Sequence, residues 1–223
     1  LWAEGQCVSI VPASLEAAST RSTMILPIPD TTPAKVHQAD MRLIEGLFSP
    51  QDSAHLAEKL DQEIQWRQDH IRIFGKTMAL PRLTAWHGDP GKGYCYSGIS
   101  MSPKPWTEAL LGIKAKAETA AGTRFNSVLL NKYRDGRDSM GWHSDDEPEL
   151  GPDPVIASVS FGATRRFVLK HKFDKTLETI STDLTDGSLL LMQGAAQRVW
   201  LHQVPKTRKA VGMRINLTFR TIV

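Results

Sequence analysis

The sequence predicts a mainly β architecture with flanking helices, an antiparallel sandwich or jelly roll. Three observations carry that expectation. After Gly122 the chain becomes a run of short segments rich in branched and aromatic residues, punctuated by Gly, Pro or Asp. No helical period separates them, which argues against a parallel α/β sheet. Before Gly122, two stretches carry the start and stop signals of helices, and these are expected to cover one sheet.

Taken in order, residues 1–23 ("LWAEGQCVSIVPASLEAASTRST") lack periodicity and also lack the basic start and long apolar core of a secretory signal. They are expected to be a flexible N-terminal extension, with Met24 a candidate start and residues 24–223 a single domain. In "GLFSPQDSAHLAEKLDQEIQWRQ", Ser49 can cap a helix, Pro50 suits its first position and Asp52 favours its positive end. Leu56, Leu60 and Ile64 recur every fourth residue and predict the buried face. A second helix is expected after Thr107, from Glu108 to Ala121, with Gly122 as its stop. The strands follow: "RFNSVLLNKY", "DPVIASVSFG", "RRFVLKHK", "GSLLLMQG", "RVWLHQVP" and "RINLTFRTIV". Asp186-Gly187 is a turn signal before "SLLLMQ".

Composition narrows the class. With 41% hydrophobic and 23% charged residues, the chain reads as a globular protein. No uncharged apolar run approaches the ~18 residues of a membrane span. Cys7 and Cys95 make neither a CxxC motif nor a disulfide framework, so a reducing compartment is expected. A net charge of +3 permits an anionic partner without demanding one.

The chemistry concentrates in "MGWHSDDEPE". His143-x-Asp145 places an imidazole and a carboxylate on one short extended segment, where residues two apart face the same way. Two histidines and one carboxylate are the donor set that holds ferrous iron with an open face. The third ligand must come from a distant strand, and His202 in "RVWLHQVP" is the best placed. His37, His55, His70 and His87 read as surface residues, and His171 in "LKHKF" as solvated. An isolated HxD occurs often by chance; the ending "RINLTFR" adds weight. There Arg214, Asn216, Thr218 and Arg220 alternate with Ile215, Leu217 and Phe219, so the polar side chains share one face of a strand. That face is either a solvated edge or the lining of the jelly roll. In the second case two buried guanidinium groups need anionic partners, which a dicarboxylate co-substrate supplies bidentately.

With these motifs in order, the chain resembles the AlkB family of Fe(II)/2-oxoglutarate-dependent dioxygenases, in its DNA-repair demethylase branch. The resemblance rests on "NKYRDGRDSMGWHSDDE", "PVIASVSFGATRRFVLKHK", "DGSLLLM", "LHQVP", "RINLTFR" and "GYCYSGISMSPKPW", and covers roughly residues 41–223. It implies a double-stranded β-helix, with His143, Asp145 and His202 as iron ligands. It assigns Arg214 and Arg220 to the carboxylates of 2-oxoglutarate, with Asn131, Tyr133 and Asn216 as further contacts. The implied reaction uses Fe(II), O2 and 2-oxoglutarate to demethylate bases of the 1-methyladenine and 3-methylcytosine type, releasing formaldehyde, succinate and CO2.

The resemblance also places substrate residues. Ile73-Phe74-Gly75, in "RIFGKTMALPR", is similar to the family's intercalating finger, with Phe74 filling the hole left by a flipped base. Tyr94, Tyr96 and Ser97 match its substrate loop, Glu147 accepts from an exocyclic amino group, and Asp146 organises the pocket. Without the family, Phe74 reads rather as a buried residue of a hairpin; the resemblance reverses that. Phosphate contacts are expected from Arg165, Arg166, Lys170, Lys172 and Lys175, with Lys206, Arg208 and Lys209 as a second patch. The link from "FVLKHK" to "GSLLLM" is shorter and less basic than in duplex-repairing relatives. The expected partner is DNA, single- or double-stranded, or RNA; no membrane is expected, and the chain should be a monomer. Location follows source: cytoplasmic in a bacterium, nuclear in a eukaryote, not secreted. The competing readings are a related dioxygenase acting on RNA or protein, and a non-catalytic nucleic-acid-binding module.

Overall fold

The structure, a computed structural model, describes residues 31–37, 39–73, 76–96 and 99–223. In chain order its elements are α1 (Ala34–His37), β1 (Met41–Ile44), α2 (Pro50–Glu63), β2 (His70–Ile73), β3 (Lys76–Ala79), β4 (Leu83–Gly88), β5 (Tyr94–Tyr96) and β6 (Ile99–Met101). There follow α3 (Glu108–Ala121), β7 (Ser127–Tyr133), β8 (Met140–His143), β9 (Ile156–Gly162), β10 (Arg165–His171), β11 (Ile180–Leu184), β12 (Leu189–Met192), α4 (Ala196–Val199), β13 (Trp200–Val204) and β14 (Arg214–Arg220).

The two long helices begin and end where their caps dictate. The Ser49 hydroxyl accepts the Asp52 N–H at 3.1 Å, with Pro50 in the first turn of α2. The buried face of α2 is Ser53, Ala57 and Leu60, continued by Ile64 just past its end, while Leu56 is only half-buried. The Thr107 hydroxyl accepts the Leu110 N–H at 3.3 Å, and α3 stops at Gly122 with φ +67°. Both helices lie on one face of a six-stranded sheet of order β1-β12-β9-β14-β7-β4. Phe48, Leu60, Ile113, Val159, Leu217 and Phe219 belong to the apolar layer between them.

A second sheet, β11-β10-β13-β8, faces the other side of the first, and all strand pairings in the two sheets are antiparallel. Leu43, Leu190, Met192, Phe167, Leu169 and Leu184 fill the space between. Two sheets closed over one core, with the helices outside, is the predicted jelly roll. Two hairpins, β2–β3 and β5–β6, stand apart from these sheets. Among the described residues no helix is long and apolar enough to cross a membrane.

β14 runs between β7 and β9, and all seven of its residues are buried. Ile215, Leu217 and Phe219 join the layer under the helices, so Arg214, Asn216, Thr218 and Arg220 face the space between the sheets. The polar face is therefore a lining and not a solvated edge. Gly187 makes the turn into β12 with φ +69°, and a Cβ there would stand 2.5 Å from the Phe48 carbonyl oxygen. Glycine alone fits this approach.

One histidine departs from expectation. His87, on β4, is buried, with Nδ1 2.7 Å from the Pro105 carbonyl oxygen. Burial pushes its imidazole below the usual range, the bond to Pro105 opposing. Five of the six residues of β4 are buried beside β7, a setting that periodicity in a short polar context did not reveal.

Candidate active site

β8 and β13 are neighbours, and their register brings the two histidines opposite each other. His143 pairs with His202, and Met140 with Val204. Three steps along β8 thus oppose two along β13, a bulge of one extra residue. The bulge leaves Gly141 and Trp142 exposed while Met140 and His143 both line the internal cavity. The imidazole centroids are 4.2 Å apart.

Asp145 arrives differently from the alternation expected. β8 ends at His143, so Asp145 lies past the strand. Two contacts aim it instead. Its N–H donates to Gln197 Oε1 at 2.8 Å, and its Oδ1 accepts from Arg220 Nη2 at 2.5 Å. One donor atom from each of His143, Asp145 and His202 lies within 4.8 Å of the others.

The protonation states suit a cation. Burial pushes His202 down to about 3, with His143 adding in the same direction. Burial likewise lowers His143, with Asp145 and the bond to Gly141 opposing. Burial pushes the Asp145 carboxyl up, but Arg220 and the two imidazoles outweigh it and hold it below the usual range. Two neutral imidazoles and a carboxylate result. The Gly141 carbonyl, 2.9 Å from His143 Nδ1, can only accept, so Nδ1 carries the proton and Nε2 keeps its lone pair. This donor set fits Fe(II).

Beside the three lies a cavity of about 30 Å³ lined also by Tyr133, Ser158, Arg214, Asn216, Thr218 and Arg220. Arg214 is buried, its Nη2 donating to Ser160 Oγ at 2.9 Å and its guanidinium carbon 5.1 Å from the Tyr133 ring centroid. Among the described residues its Nε and Nη1 find no acceptor. A buried guanidinium half satisfied by protein is costly unless an anion completes it. That vacancy of acceptors fits a carboxylate-bearing co-substrate.

The sequence profile of the 2OG-Fe(II) oxygenase superfamily matches residues 40–220. The chain belongs to this superfamily. Among relatives of this oxygenase, rat "Alpha-ketoglutarate-dependent dioxygenase alkB homolog 3" is 43% identical over 188 residues, covering 81% of the chain but 63% of that protein. Mouse "DNA oxidative demethylase ALKBH2" is 38% identical over 186 residues, covering 79% of the chain and 78% of the relative. The Arabidopsis thaliana "DNA oxidative demethylase ALKBH2" is 39% identical over 212 residues, covering 84% and 68%. The solved structure of OsALKBH1 superposes with a TM-score of 0.61 at 16% identity, over 82% of this chain and 96% of that one, so it shares the fold.

The remaining predicted residues divide. Asn131 is buried, accepting from Arg82 Nε at 2.8 Å through Oδ1, while its Nδ2 has no acceptor among the described residues. Asn216 donates to Ser158 Oγ at 2.8 Å and to the Val159 carbonyl at 2.9 Å, so its amide is held by the sheet. Asp146 accepts from Ser144 Oγ at 2.9 Å and from Lys172 Nζ at 2.8 Å, and Glu147 is half-buried beside it. Phe74 and Ser97 lie outside the described residues. Tyr94 and Tyr96 fall on β5, opposite Met101 and Ile99 of β6; their side chains are likewise outside what is described.

Two basic residues are not where phosphate contact requires. Arg165 is buried, its Nη2 donating to the carbonyls of Asp138 at 2.8 Å and Pro205 at 2.6 Å. It closes the core because β10 turns that position inward. Lys172 is tied to Asp146 and to the Gln197 carbonyl at 2.6 Å. Arg166, Lys206, Arg208 and Lys209 are exposed. His171 is half-buried, packed 5.2 Å from the Trp200 ring, with Nδ1 accepting from the Asp174 N–H at 2.8 Å. Sequence reasoning missed Gln197, for which no spacing signal exists. It also missed Ser158 and Ser160, whose alternation in "ASVSFG" marks the same inward face as β14.

Proposed function

We propose that this oxygenase removes N-methyl groups from bases of the 1-methyladenine and 3-methylcytosine type in DNA, using Fe(II), O2 and 2-oxoglutarate. The observation that carries the reading is one cavity shared by the His143–Asp145–His202 cluster and the half-satisfied guanidinium of Arg214. The names of the rat, mouse and Arabidopsis relatives support the class of reaction and the DNA substrate. The chain spans 63% of the length of the rat relative.

In this reading His143, Asp145 and His202 hold Fe(II), which supplies the oxidising chemistry. Arg214 receives one carboxylate of 2-oxoglutarate through its unfilled Nε and Nη1. Arg220 serves the other end while keeping Asp145 ionised and oriented. Tyr133 backs the Arg214 guanidinium, Asn216 belongs to the polar lining, and Asn131 would be a further contact of the co-substrate. One atom of O2 ends in succinate as 2-oxoglutarate loses CO2. The other enters a methyl C–H, and the resulting hemiaminal splits its N–C bond to give formaldehyde and the N–H base.

The target base must leave the stack to reach the cavity. Tyr94, Tyr96 and Ser97 would stack on and hold it, Glu147 would accept from its amino group, and Asp146 would be fixed by Lys172 and Ser144. Phe74 would fill the gap in a duplex. The test is anaerobic loading with Fe(II) and 2-oxoglutarate, then oxygen, across methylated DNA and RNA oligonucleotides, with formaldehyde and succinate measured. Release of both in equal amounts from DNA is expected. His202→Ala should abolish release and weaken Fe(II) binding while the melting curve stays cooperative; normal turnover in that variant would remove His202 from the ligand set.

A further inference from the structure

We propose that Arg165 is a specificity-determining residue that selects a co-substrate with a negatively charged tail. It acts beside Tyr133 and Arg214 without touching the ligand, and so rests on the reading just given. Arg165 is 2% exposed and Arg214 1%. Both guanidiniums lie over one aromatic ring. The guanidinium carbon of Arg165 is 5.6 Å from the Tyr133 ring centroid, and that of Arg214 is 5.1 Å from it. Tyr133 and Arg214 line the cavity, whereas Arg165 does not. The tyrosine thus stands with one cation that faces the ligand's place and another set outside it.

The hydrogen bonds of Arg165 are met, but its charge is answered only at a distance. Nη1 donates to the Asp135 carbonyl at 3.2 Å, and Nη2 to the carbonyls of Asp138 at 2.8 Å and Pro205 at 2.6 Å. Those oxygens belong to neutral peptides. The carboxylates of the same two aspartates are taken by other cations, Asp135 by Arg137 at 2.6 Å and Asp138 by Arg134 at 2.8 Å. Burial pushes Arg165 below its usual range, with Tyr133, Asp138 and Asp135 opposing. Arg165 in turn adds to the lowering of Arg214. A guanidinium keeps its proton all the same, so two positive charges stand buried at one end of the cavity.

Like charges buried near each other repel, and an anion beside Arg214 relieves both. Arg214 supplies the contact and Arg165 the added field. Their separation is on the order of 10 Å, where one unit charge changes the binding of another about tenfold at an effective dielectric of ~20. An uncharged tail feels neither cation. Salt screens buried charges weakly, so the preference holds at any ionic strength. A phosphate contact by Arg165 would fade with salt instead.

The experiment uses the Fe(II)-loaded full chain without oxygen, so binding is read by calorimetry and nothing turns over. 2-Oxoglutarate is compared with 2-oxohexanoate, whose tail has similar length and no charge. Arg165→Gln removes the charge but can still donate to a carbonyl. It should weaken 2-oxoglutarate about tenfold and 2-oxohexanoate less than about twofold. Arg165→Lys keeps the charge and should bind 2-oxoglutarate within about threefold of the parent. The loss in Arg165→Gln should be the same at ~50 and ~500 mM salt. Parent-like binding of 2-oxoglutarate in a folded Arg165→Gln would overturn the role of Arg165. So would equal losses in the Gln and Lys variants, which would make the forked hydrogen bonds the cause. Equal losses on both ligands, or a loss that fades with salt, would overturn it too. Melting curves show which variants fold. If Arg165→Gln does not, a folded Arg165→Lys with a loss of about tenfold overturns the proposal by itself. A parent protein that binds no 2-oxoglutarate sinks the underlying function. Binding lost in Arg214→Ala but kept in Arg165→Gln sinks the role of Arg165 alone.

Discussion

Arg214 brings a positive charge where water does not follow, and the chain answers only part of it. Burial pushes its guanidinium below the usual range, with Arg165 adding to the effect and Tyr133 opposing it. A ligand that supplies the missing acceptors therefore binds the folded state alone and stabilises it. In the parent protein, saturating 2-oxoglutarate at ~100 times its Kd should add about 2.7 kcal/mol of stability, read as a rise in Tm. Arg214→Ala should lose that rise and need at least ~30-fold more 2-oxoglutarate, as expected for a broken buried charge pair worth about 2–5 kcal/mol. Parent-like 2-oxoglutarate dependence in the variant would remove Arg214 from this role. At this scale the sequence shows residues whose chemistry is unusual for their spacing. His143, Asp145, His202, Arg214 and Arg220 were all legible, and the structure gathers them around one cavity. Gln197 was not, because a buried amide that aims a backbone N–H is set by α4 lying against the 145–146 segment, and no local pattern encodes that contact.

The two long helices, α2 and α3, were legible nearly to the residue, because capping is local chemistry; the single-turn α1 and α4 were not expected. Ser49, Thr107 and Gly122 sit where their side chains or φ angles end the hydrogen-bond ladder. Strands were legible where branched residues run on, as in β7, β9, β12 and β14. β1, β8 and β11 were not: β1 and β8 have four residues each, and β11 reads "ISTDL", half exposed at a sheet edge. β1 and β8 pair with partners far along the chain, β12 and β13, while β11 is a polar edge strand beside β10. Two glycines separate local from non-local cause. Gly122→Ala meets nothing within 4 Å and pays only for φ +67°, about 1–2 kcal/mol. Gly187→Ala has φ +69° and also drives a methyl onto the Phe48 carbonyl. Urea unfolding should show Gly187→Ala losing at least ~1 kcal/mol more than Gly122→Ala. Equal losses would mean that the β12 turn shifts freely.

Across the molecule, the helical layer packs on the six-stranded sheet through apolar side chains, and one buried carboxylate ties the end of α3 to the segment that leads into β7. Glu118 of α3 accepts the Phe125 N–H at 2.8 Å and pairs with Lys114 at 3.1 Å and Arg124 at 2.9 Å. Burial alone would raise its pKa, but these donors prevail and hold it below 4.5. A depressed folded pKa means that the unfolded chain binds the proton more readily. The contribution is full above about pH 4.5 and is lost as the pH falls through the lowered folded value. Glu118→Gln should cost about 1–2 kcal/mol near neutrality, and its stability should fall less steeply than the parent's under acid. Denaturant titrations between about pH 3 and 7 check both; parallel acid profiles would place the acid sensitivity elsewhere. The fold as two sheets under two helices was readable from the order of segments. Which strands lie side by side was not, since β14 between β7 and β9 joins residues some 50 to 90 positions apart, a matter of packing rather than propensity.

The extra residue in β8 acts like a reading frame. Strand side chains alternate, so one inserted position decides which set faces inward from there on. Inserting one residue after Gly141 should keep the bulge but move the register on by one: the Trp142 ring then takes the place opposite His202 and the His143 imidazole turns to solvent, whereas deleting Gly141 removes the bulge and leaves His143 opposite His202. The lengthened chain should fold with little loss at the far end of the sheet yet bind Fe(II) no better than a chain lacking one ligand, while a conservative Gly141→Ala, which meets nothing within 4 Å, keeps the metal. A single codon's length, more than the identity of any side chain around it, sets whether this sheet is a scaffold or an enzyme.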